Sequence, residues 1–405
     1  MPYLQTSRRR SFPRRWPMLR LSDRIAASMP SPAKRSDAVI LRMFGIGDAL
    51  LFRMVLEKYA EAVNMPPSQV TVLGSTSWAP AAKLFFHDVE TVLIDERKFA
   101  KSFLYRLTIM HKLRRRGFYI AICGMRFRFP HVIESLILAS GAPNRIVAAA
   151  RPNEKFDAMF AHYEPKMTKV VALTEPERPR AGDGTPLPLM HEIEHQLAFL
   201  SAVAGHPITL PSLPSLKFPE GTPPLMHTGE RYAVLNIGAS HEPRRWPLKH
   251  FLAVALRLLE QGYSVVLLGG PSETGVQDEL EAQLPGNRKE SGARLVISIN
   301  ELDFAKATRL VARAALVVSN DSGLGHLALM LNRPSVLIVG GGHFGSFMPY
   351  PQHLTPQTTR FLYQLLPCYH CNWNCTMMPP GGKTFPCVSE VSVEQALTAI
   401  KELGA

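Results

Sequence analysis

The chain has 405 residues, 46% of them apolar and 20% charged, with a net charge of +13. That length exceeds one ordinary core and suits two domains of roughly 150–200 residues, and the composition is that of a globular chain rather than a disordered or fibrous one. No stretch approaches the roughly 20 uninterrupted apolar residues of a membrane-spanning helix.

The charge is concentrated at the N-terminus. Residues 1–36 hold nine Lys or Arg residues (Arg8, Arg9, Arg10, Arg14, Arg15, Arg20, Arg24, Lys34 and Arg35) against the single acid Asp23, in a Pro- and Ser-rich context. No apolar run or small-residue cleavage site follows, so the segment does not read as a secretory signal. Two readings stand: a disordered, solvated tail, or a stretch (WPMLRLSDRI, 16–25) lying on an anionic membrane surface.

From Asp37 the text becomes DAVILRMFGIGDALLFRMVLEKYAEAV. A continuous apolar run (Ala38–Met43) predicts a strand of a covered parallel sheet, the Gly-bearing turn 44–48 follows, and a helix runs to about Val63. Further strands are expected at Gln69–Leu73, Thr91–Ile94, Tyr119–Cys123 and Arg145–Val147. This alternation predicts a doubly wound α/β domain over 37–205. A second basic region (Lys98, Lys101, Arg106, Lys112, Arg114, Arg115, Arg116, Arg126, Arg128) lies within it and reads as solvated surface, with attraction of an anionic acceptor as the alternative.

The Pro-rich stretch 206–230 predicts an interdomain linker. A second α/β domain is expected over 231–390, with strands in YAVLNIG, SVVLLGG, LVVSN and PSVLIVG, and a closing helix within 391–405.

Several turns could carry chemistry. Gly45-Ile46-Gly47-Asp48 lies at the carboxyl end of the first strand, where ligands of doubly wound sheets bind; Asp48 there is either a helix cap or a reacting carboxylate. Gly238 and Ser240 lead to Arg244-Arg245-Trp246-Pro247, suited to gripping a diphosphate through paired hydrogen bonds, or else an ordinary solvated loop. Asp321-Ser322-Gly323 opens a helix directly after a buried strand, placing backbone N–H groups and a positive dipole end toward an anion. His326, one turn in, is either a packed histidine or a ligand contact. Gly340–Gly345 fits the dinucleotide pattern literally, but no helix follows, and it reads as a flexible loop lining the cleft.

Four of the five cysteines crowd together as Cys368, Cys371, Cys375 and Cys387. Four thiolates over that span can close a structural tetrahedral zinc or iron site; unmetallated thiols and a disulfide are the alternatives.

In order and spacing these pieces resemble glycosyltransferase family 9, the heptosyltransferase family. The resemblance rests on ILRMFGIGDALL, NIGASHEPRRWPLKHF, VVLLGGPSE and LVARAALVVSNDSGLGHLALMLNRPSVLIVGG, and covers nearly everything from Asp37 onward. It implies the GT-B fold: two Rossmann-like domains facing across a cleft, acceptor on the first, nucleotide sugar on the second. The last helix, Val393–Leu403, would cross back to the first domain. It implies Asp48 as catalytic base, taking the proton of an acceptor hydroxyl with inversion at the sugar. The phosphate-contacting lysine of the family falls on Arg244. Asp321, Ser322 and Gly323 would hold the donor, and Glu273 would lie near the nucleoside. The Gly-Pro-Thr loop of the family is replaced by Gly340–Gly345. The cysteine cluster resembles the iron finger of the autotransporter heptosyltransferases, a branch that glycosylates proteins.

The implied activity is metal-independent transfer, consistent with the absence of any Asp-x-Asp pair. ADP-heptose is the favoured donor, and a glycan, a lipopolysaccharide core or a protein is the acceptor. No cofactor is expected for the chemistry and no nucleic acid as partner. The expected location is cytoplasmic, with peripheral contact to an anionic membrane and oligomerisation both open. The alternatives are a GT-B nucleotide-sugar epimerase and a basic, metal-clipped nucleic-acid-binding protein.

Overall fold

The buried aliphatic runs become parallel strands, divided between two separate sheets. The structure, a computed structural model, describes residues 12–32, 36–151, 156–174, 176, 178–218, 223–227, 229–276, 280 and 293–404. Contacts divide the chain into two units, Met1–Thr174 with Ile193–Leu210, and Glu175–Glu192 with Pro211–Ala405.

The first unit is built on β1 (Asp37–Arg42), β2 (Val70–Ser75), β3 (Glu90–Ile94), β4 (Phe118–Cys123), β5 (Asn144–Ala148) and β6 (Lys169–Val171), in the order β3-β2-β1-β4-β5-β6. Every pairing is parallel. Its helices are α1 (Phe12–Ser28), α2 (Ile46–Ala62), α3 (Ala79–Phe85), α4 (Glu96–Lys101), α5 (Phe103–Arg114), α6 (Ile133–Ala139), α7 (Asp157–Tyr163) and α8 (Glu192–Ala204), the last beginning at the unit boundary. β1, β2 and β4 are almost wholly buried because helices cover both faces of the sheet, which is why their apolar residues run on without alternating.

The second unit repeats the plan with β7 (Tyr232–Asn236), β8 (Ser264–Gly269), β9 (Leu295–Ile299), β10 (Leu316–Asn320), β11 (Ser335–Ile338) and β12 (Thr359–Leu362), ordered β12-β11-β10-β7-β8-β9. Read from its other end, this is the strand order of the first sheet, the doubly wound arrangement. The helices are α9 (Leu248–Glu260), α10 (Phe304–Arg313), α11 (Gly323–Met330), α12 (Pro386–Ser389) and α13 (Val393–Glu402).

Four expectations are corrected. Residues 12–28 of the expected disordered tail are helical: they form α1, packed on α5 and α6 with Leu19, Ser22 and Ala26 buried. Its anchor is Arg106, itself fully buried, which donates from Nε to Ser22 Oγ at 2.7 Å, from Nη1 to the His131 carbonyl at 2.7 Å and from Nη2 to Asp23 at 2.8 Å. Residues 1–11 and 33–35, with Arg8, Arg9, Arg10, Lys34 and Arg35, lie outside the described residues. The second basic region is accordingly not all solvated surface. Arg128 is also buried, pairing with the equally buried Glu134 at 2.6 Å.

The domain boundary also differs. Glu175–Glu192 belongs to the second unit, since Leu189 donates to the Phe344 carbonyl at 2.9 Å and Glu192 to that of Ser346 at 2.8 Å. Gly345 makes this possible: it has φ +88°, and a Cβ there would stand 2.5 Å from the Leu189 nitrogen. Part of the expected 206–230 linker, residues 219–222 and 228, lies outside the described residues. Finally, α13 packs against α9, β11 and β12 of the second unit rather than crossing to the first.

Candidate active site

At the end of β1 the backbone turns sharply through Phe44, a non-glycine residue at φ +88°. Such a conformation costs energy and persists only where neighbours hold it. Here Glu96 Oε1 accepts from the Phe44 N–H at 3.2 Å, and Ser77 Oγ donates to the Phe44 carbonyl at 2.5 Å. The strained turn delivers Asp48 into the first turn of α2. Asp48 Oδ2 accepts from the Gly45 N–H at 3.3 Å, so Asp48 does cap the helix. Its other oxygen, Oδ1, faces the buried Arg42 guanidinium at 3.9 Å, and the side chain keeps 27% exposure. Capping and chemistry are therefore compatible, with one oxygen engaged in each direction. Burial is the main cause that pushes Glu96 above the usual carboxylate range, and the Asp48 charge adds to it.

In the second unit, two strand ends are laced together by asparagines. Asn236 Nδ2 donates to Ser319 Oγ at 2.9 Å and Ser322 Oγ at 3.0 Å. Asn320 Nδ2 donates to the Ile237 carbonyl at 2.9 Å while its oxygen accepts from the Trp246 N–H at 2.8 Å. These bonds hold the 237–246 loop against the start of α11. Arg244 then reaches Ser240 Oγ at 3.1 Å and Asp321 Oδ2 at 2.9 Å, and stacks over the Trp373 ring with its Cζ 4.3 Å from the centroid. Its buried Nε has no hydrogen-bond partner among the described residues and is a donor that a bound anion would satisfy. Ser322 caps α11, its Oγ accepting from the Gly325 N–H at 3.3 Å.

Most of the donor-binding residues expected from the sequence meet here: Gly238, Ser240, Arg244, Asp321, Ser322 and Gly323 share one loop–helix cradle. Glu273 adjoins it in a supporting place. It is buried, accepts from the Gly270 N–H at 2.8 Å and pairs with Arg245 at 2.7 Å. A Cβ on Gly238 would lie 3.0 Å from Glu273, so a glycine keeps that approach open.

His326 is buried behind the cradle. Its Nδ1 lies 2.9 Å from Tyr350 Oη and its Nε2 4.0 Å from Asp321, while the Tyr350 ring meets that of His191 at 4.3 Å. Burial holds His326 down to about 4 and His191 down to about 3, so both imidazoles are neutral at ordinary pH. A histidine neutral when folded and near 6.5 when unfolded stabilises the fold above its unfolded value. Stability of the second unit is therefore expected to fall as pH drops from 6.5 toward 4, with a slope approaching 1.4 kcal/mol per pH unit for each histidine. Urea unfolding at two pH values across that window checks the sign; a midpoint that rises on acidification overturns it.

Gly340–Gly345 is not a flexible loop. Gly340, Gly341, Gly342 and Gly345 are buried, and a Cβ on Gly342 would stand 2.3 Å from the Trp373 ring and one on Gly341 2.7 Å from that of Tyr369. These glycines serve close approach to the cysteine segment. His370 and Asn372 donate to their carbonyls at 2.9 and 3.1 Å, and the Gly341 N–H meets Cys387 Sγ at 3.3 Å. Cys368, Cys371, Cys375 and Cys387 share a neighbourhood: burial pushes Cys387 up to about 11, and the other three thiols push in the same direction. They do not close a ligand shell, for among the described residues no three His, Cys, Asp or Glu side chains stand close enough to hold a metal ion.

Sequence reasoning missed three residues here, Glu96 behind the Phe44 turn, Trp373 under Arg244 and Tyr350 on His326. Trp373 carried a faint signal as an aromatic between two cysteines. The other two carried none.

Two doubly wound sheets of the same strand order define the GT-B glycosyltransferase fold. Two solved structures share it: heptosyltransferase II of Escherichia coli (TM-score 0.60, 18% identity, 91% of this chain and 98% of that one) and a family 9 glycosyltransferase of Veillonella parvula (TM-score 0.67, 17% identity, 92% and 99%). Within this fold, residues 190–368, the stretch containing the whole Arg244–Ser322 cradle, match glycosyltransferase family 9 (heptosyltransferase). Lipooligosaccharide heptosyltransferase 2 of Haemophilus influenzae is 36% identical over 104 residues, 25% of this chain and 29% of that relative. The chain thus spans under a third of the length of the curated relatives it first matches. Among the described residues no helix is long and apolar enough to cross a membrane.

Proposed function

We propose that this chain is an inverting glycosyltransferase that moves a sugar, in the first instance heptose from ADP-heptose, to an acceptor hydroxyl of a lipopolysaccharide core or related glycan. The reading is supported above all by one coincidence: the family 9 match falls on the residues that form the anion cradle of Arg244, Asp321 and the α11 terminus. In this reading Asp48 takes the proton of the acceptor hydroxyl as that oxygen bonds to the anomeric carbon. The bond from that carbon to the diphosphate oxygen breaks, and the leaving diphosphate carries its charge into the cradle. Arg244 and the first N–H groups of α11 accept it. One displacement inverts the configuration. Such a cradle needs no divalent ion to receive the charge, and the proposal places the reaction in the cytoplasm.

A thermal-shift series with ADP, GDP and UDP sugars tests the donor. ADP-heptose is expected to raise the melting temperature, by an amount that grows with the logarithm of its concentration. Stabilisation by UDP or GDP sugars alone overturns the donor assignment. Incubation with nucleotide sugar and no acceptor separates transfer from epimerisation, since only an epimerase converts the donor by itself.

The four cysteines are proposed as a structural zinc or iron clip, supported by their crowding in one segment. Filling it would require the thiols to draw inward from their present positions. Elemental analysis is expected to find one zinc or iron per chain; protein that is folded, active and metal-free overturns the proposal.

A further inference from the structure

The first unit carries a second concentration of charge that the transfer reaction does not use. Beneath α1 lies an open cavity of about 540 Å³, lined by Arg20, Arg24, Arg114, Arg145, His162 and Lys166. Its only acid is Asp23, and that carboxylate is already committed: it accepts from Arg106 at 2.8 Å, from Tyr163 Oη at 2.6 Å and from Ser135. The cations on the wall thus outnumber the acids, Asp23 being the one carboxylate among the lining residues.

Their spacing makes this costly. Arg20 and Arg24 stand four residues apart on one face of α1, a like-charge arrangement that destabilises a helix. Neither has a hydrogen-bonded or ion-paired partner among the described residues. Across the cavity Lys166 Nζ approaches His162 Nε2 to 2.7 Å, a contact that requires a neutral imidazole. Burial is the main cause that lowers both Lys166 and His162; the Asp23 charge opposes it at each, while Arg20 and Arg24 add to it at Lys166, and Lys166, Arg20 and Arg24 add to it at His162. Arg114 and Arg145 are braced against backbone carbonyls, Arg114 on Ala27 at 3.0 Å and Arg145 on Lys166 at 2.7 Å, so their positions are set by the fold.

The place of this cavity in the sheet separates it from the proposed acceptor site. Arg114 precedes β4, Gly141 and Arg145 flank the start of β5, and Lys166 leads into β6. All mark the amino ends of parallel strands, whereas Asp48 follows the carboxyl end of β1. The two ends are a strand apart, about 16 Å for five residues.

We propose that this cavity binds a phosphate-bearing ligand, gripped by Arg20 and Arg24 from α1 and by Arg114, Arg145 and Lys166 from below. Its volume and number of donors suit more than one phosphate group. The same chemistry is presented by a soluble polyphosphate and by an anionic phospholipid headgroup, and the experiment separates them. The full chain and Arg20→Glu/Arg24→Glu are titrated with inorganic pyrophosphate by calorimetry. Both are also mixed with phosphatidylcholine vesicles with and without phosphatidylglycerol, and sedimented. Arg257→Glu/Lys401→Glu, on exposed positions of the second unit, makes the same change in net charge and controls for it. Arg20→Gln/Arg24→Gln is the milder variant if charge reversal disturbs α1.

Wild type and the control are expected to bind at least one probe, with affinity lowered by salt. The α1 variants should bind it about tenfold more weakly or worse. Loss confined to pyrophosphate identifies a soluble ligand, and loss confined to the anionic vesicles identifies a membrane headgroup. Equal binding by wild type and the folded α1 variants, or binding of neither probe, overturns the proposal.

Discussion

Asp48→Asn should lower transfer by roughly a hundred- to ten-thousandfold while leaving donor affinity nearly unchanged, the range expected on removing a general base. The substitution is close to isosteric, and an asparagine carbonyl can still accept from the Gly45 N–H, now 3.3 Å from Oδ2. The start of α2 should therefore survive, and melting temperature should move little. Donor binding is expected to persist because Arg244, Asp321 and Ser322 belong to the second unit. Asp48→Ala removes the cap and the carboxylate together and serves as the contrast. Rate, donor affinity and melting temperature measured side by side distinguish a lost base from a frayed helix. Full turnover by Asp48→Asn would falsify the assignment.

The largest effect on stability is expected from Arg106→Ala. The guanidinium is fully buried and binds Ser22, Asp23, Ser135 and the His131 carbonyl while lying 4.4 Å over the Phe99 ring. Removing it leaves the Asp23 carboxylate without its cationic partner, held only by Tyr163 and Ser135, and empties the volume beneath α1. Breaking one side of such a pair costs about 3–5 kcal/mol. For a unit of this size that corresponds to a fall of roughly 10 °C in melting temperature. The second unit should melt unchanged, and limited proteolysis should cut first in α1. Arg106→Lys keeps the charge but not the planar fork, and should fall between. A shift of only a degree or so would show that α1 is held by other contacts.

How far the fold was readable depended on whether a signal was local. The runs VILR, VVLLG and LVVSN announced strands because a strand covered on both faces must be apolar throughout. The turns at Asp48, Arg244 and Asp321 followed from where those strands end. The helical state of residues 12–28 could not be read this way. Its buried positions Leu19, Ser22 and Ala26 are sparse, and its anchor, Arg106, sits 84 residues from Ser22. Gly340–Gly345 misled for a related reason: glycines that free a backbone and glycines that admit a neighbouring ring look alike until Trp373 and Tyr369 are in place. Short strands such as Lys169–Val171, only partly buried, fell below any periodicity.

The route of the chain has a consequence for biosynthesis. Glu175–Glu192 is made before the rest of its own unit, and Ile193–Leu210 after the sheet it completes. On the ribosome the first unit is complete once residue 210 has emerged, whereas the second must hold Glu175–Glu192 until its sheet is made. Leu189 must wait for Phe344 to emerge, and no single peptide cut yields two self-sufficient halves. Co-expressed fragments severed in the Pro-rich stretch just after residue 210 would leave the first unit whole and the second lacking Glu175–Glu192, carried by the other fragment.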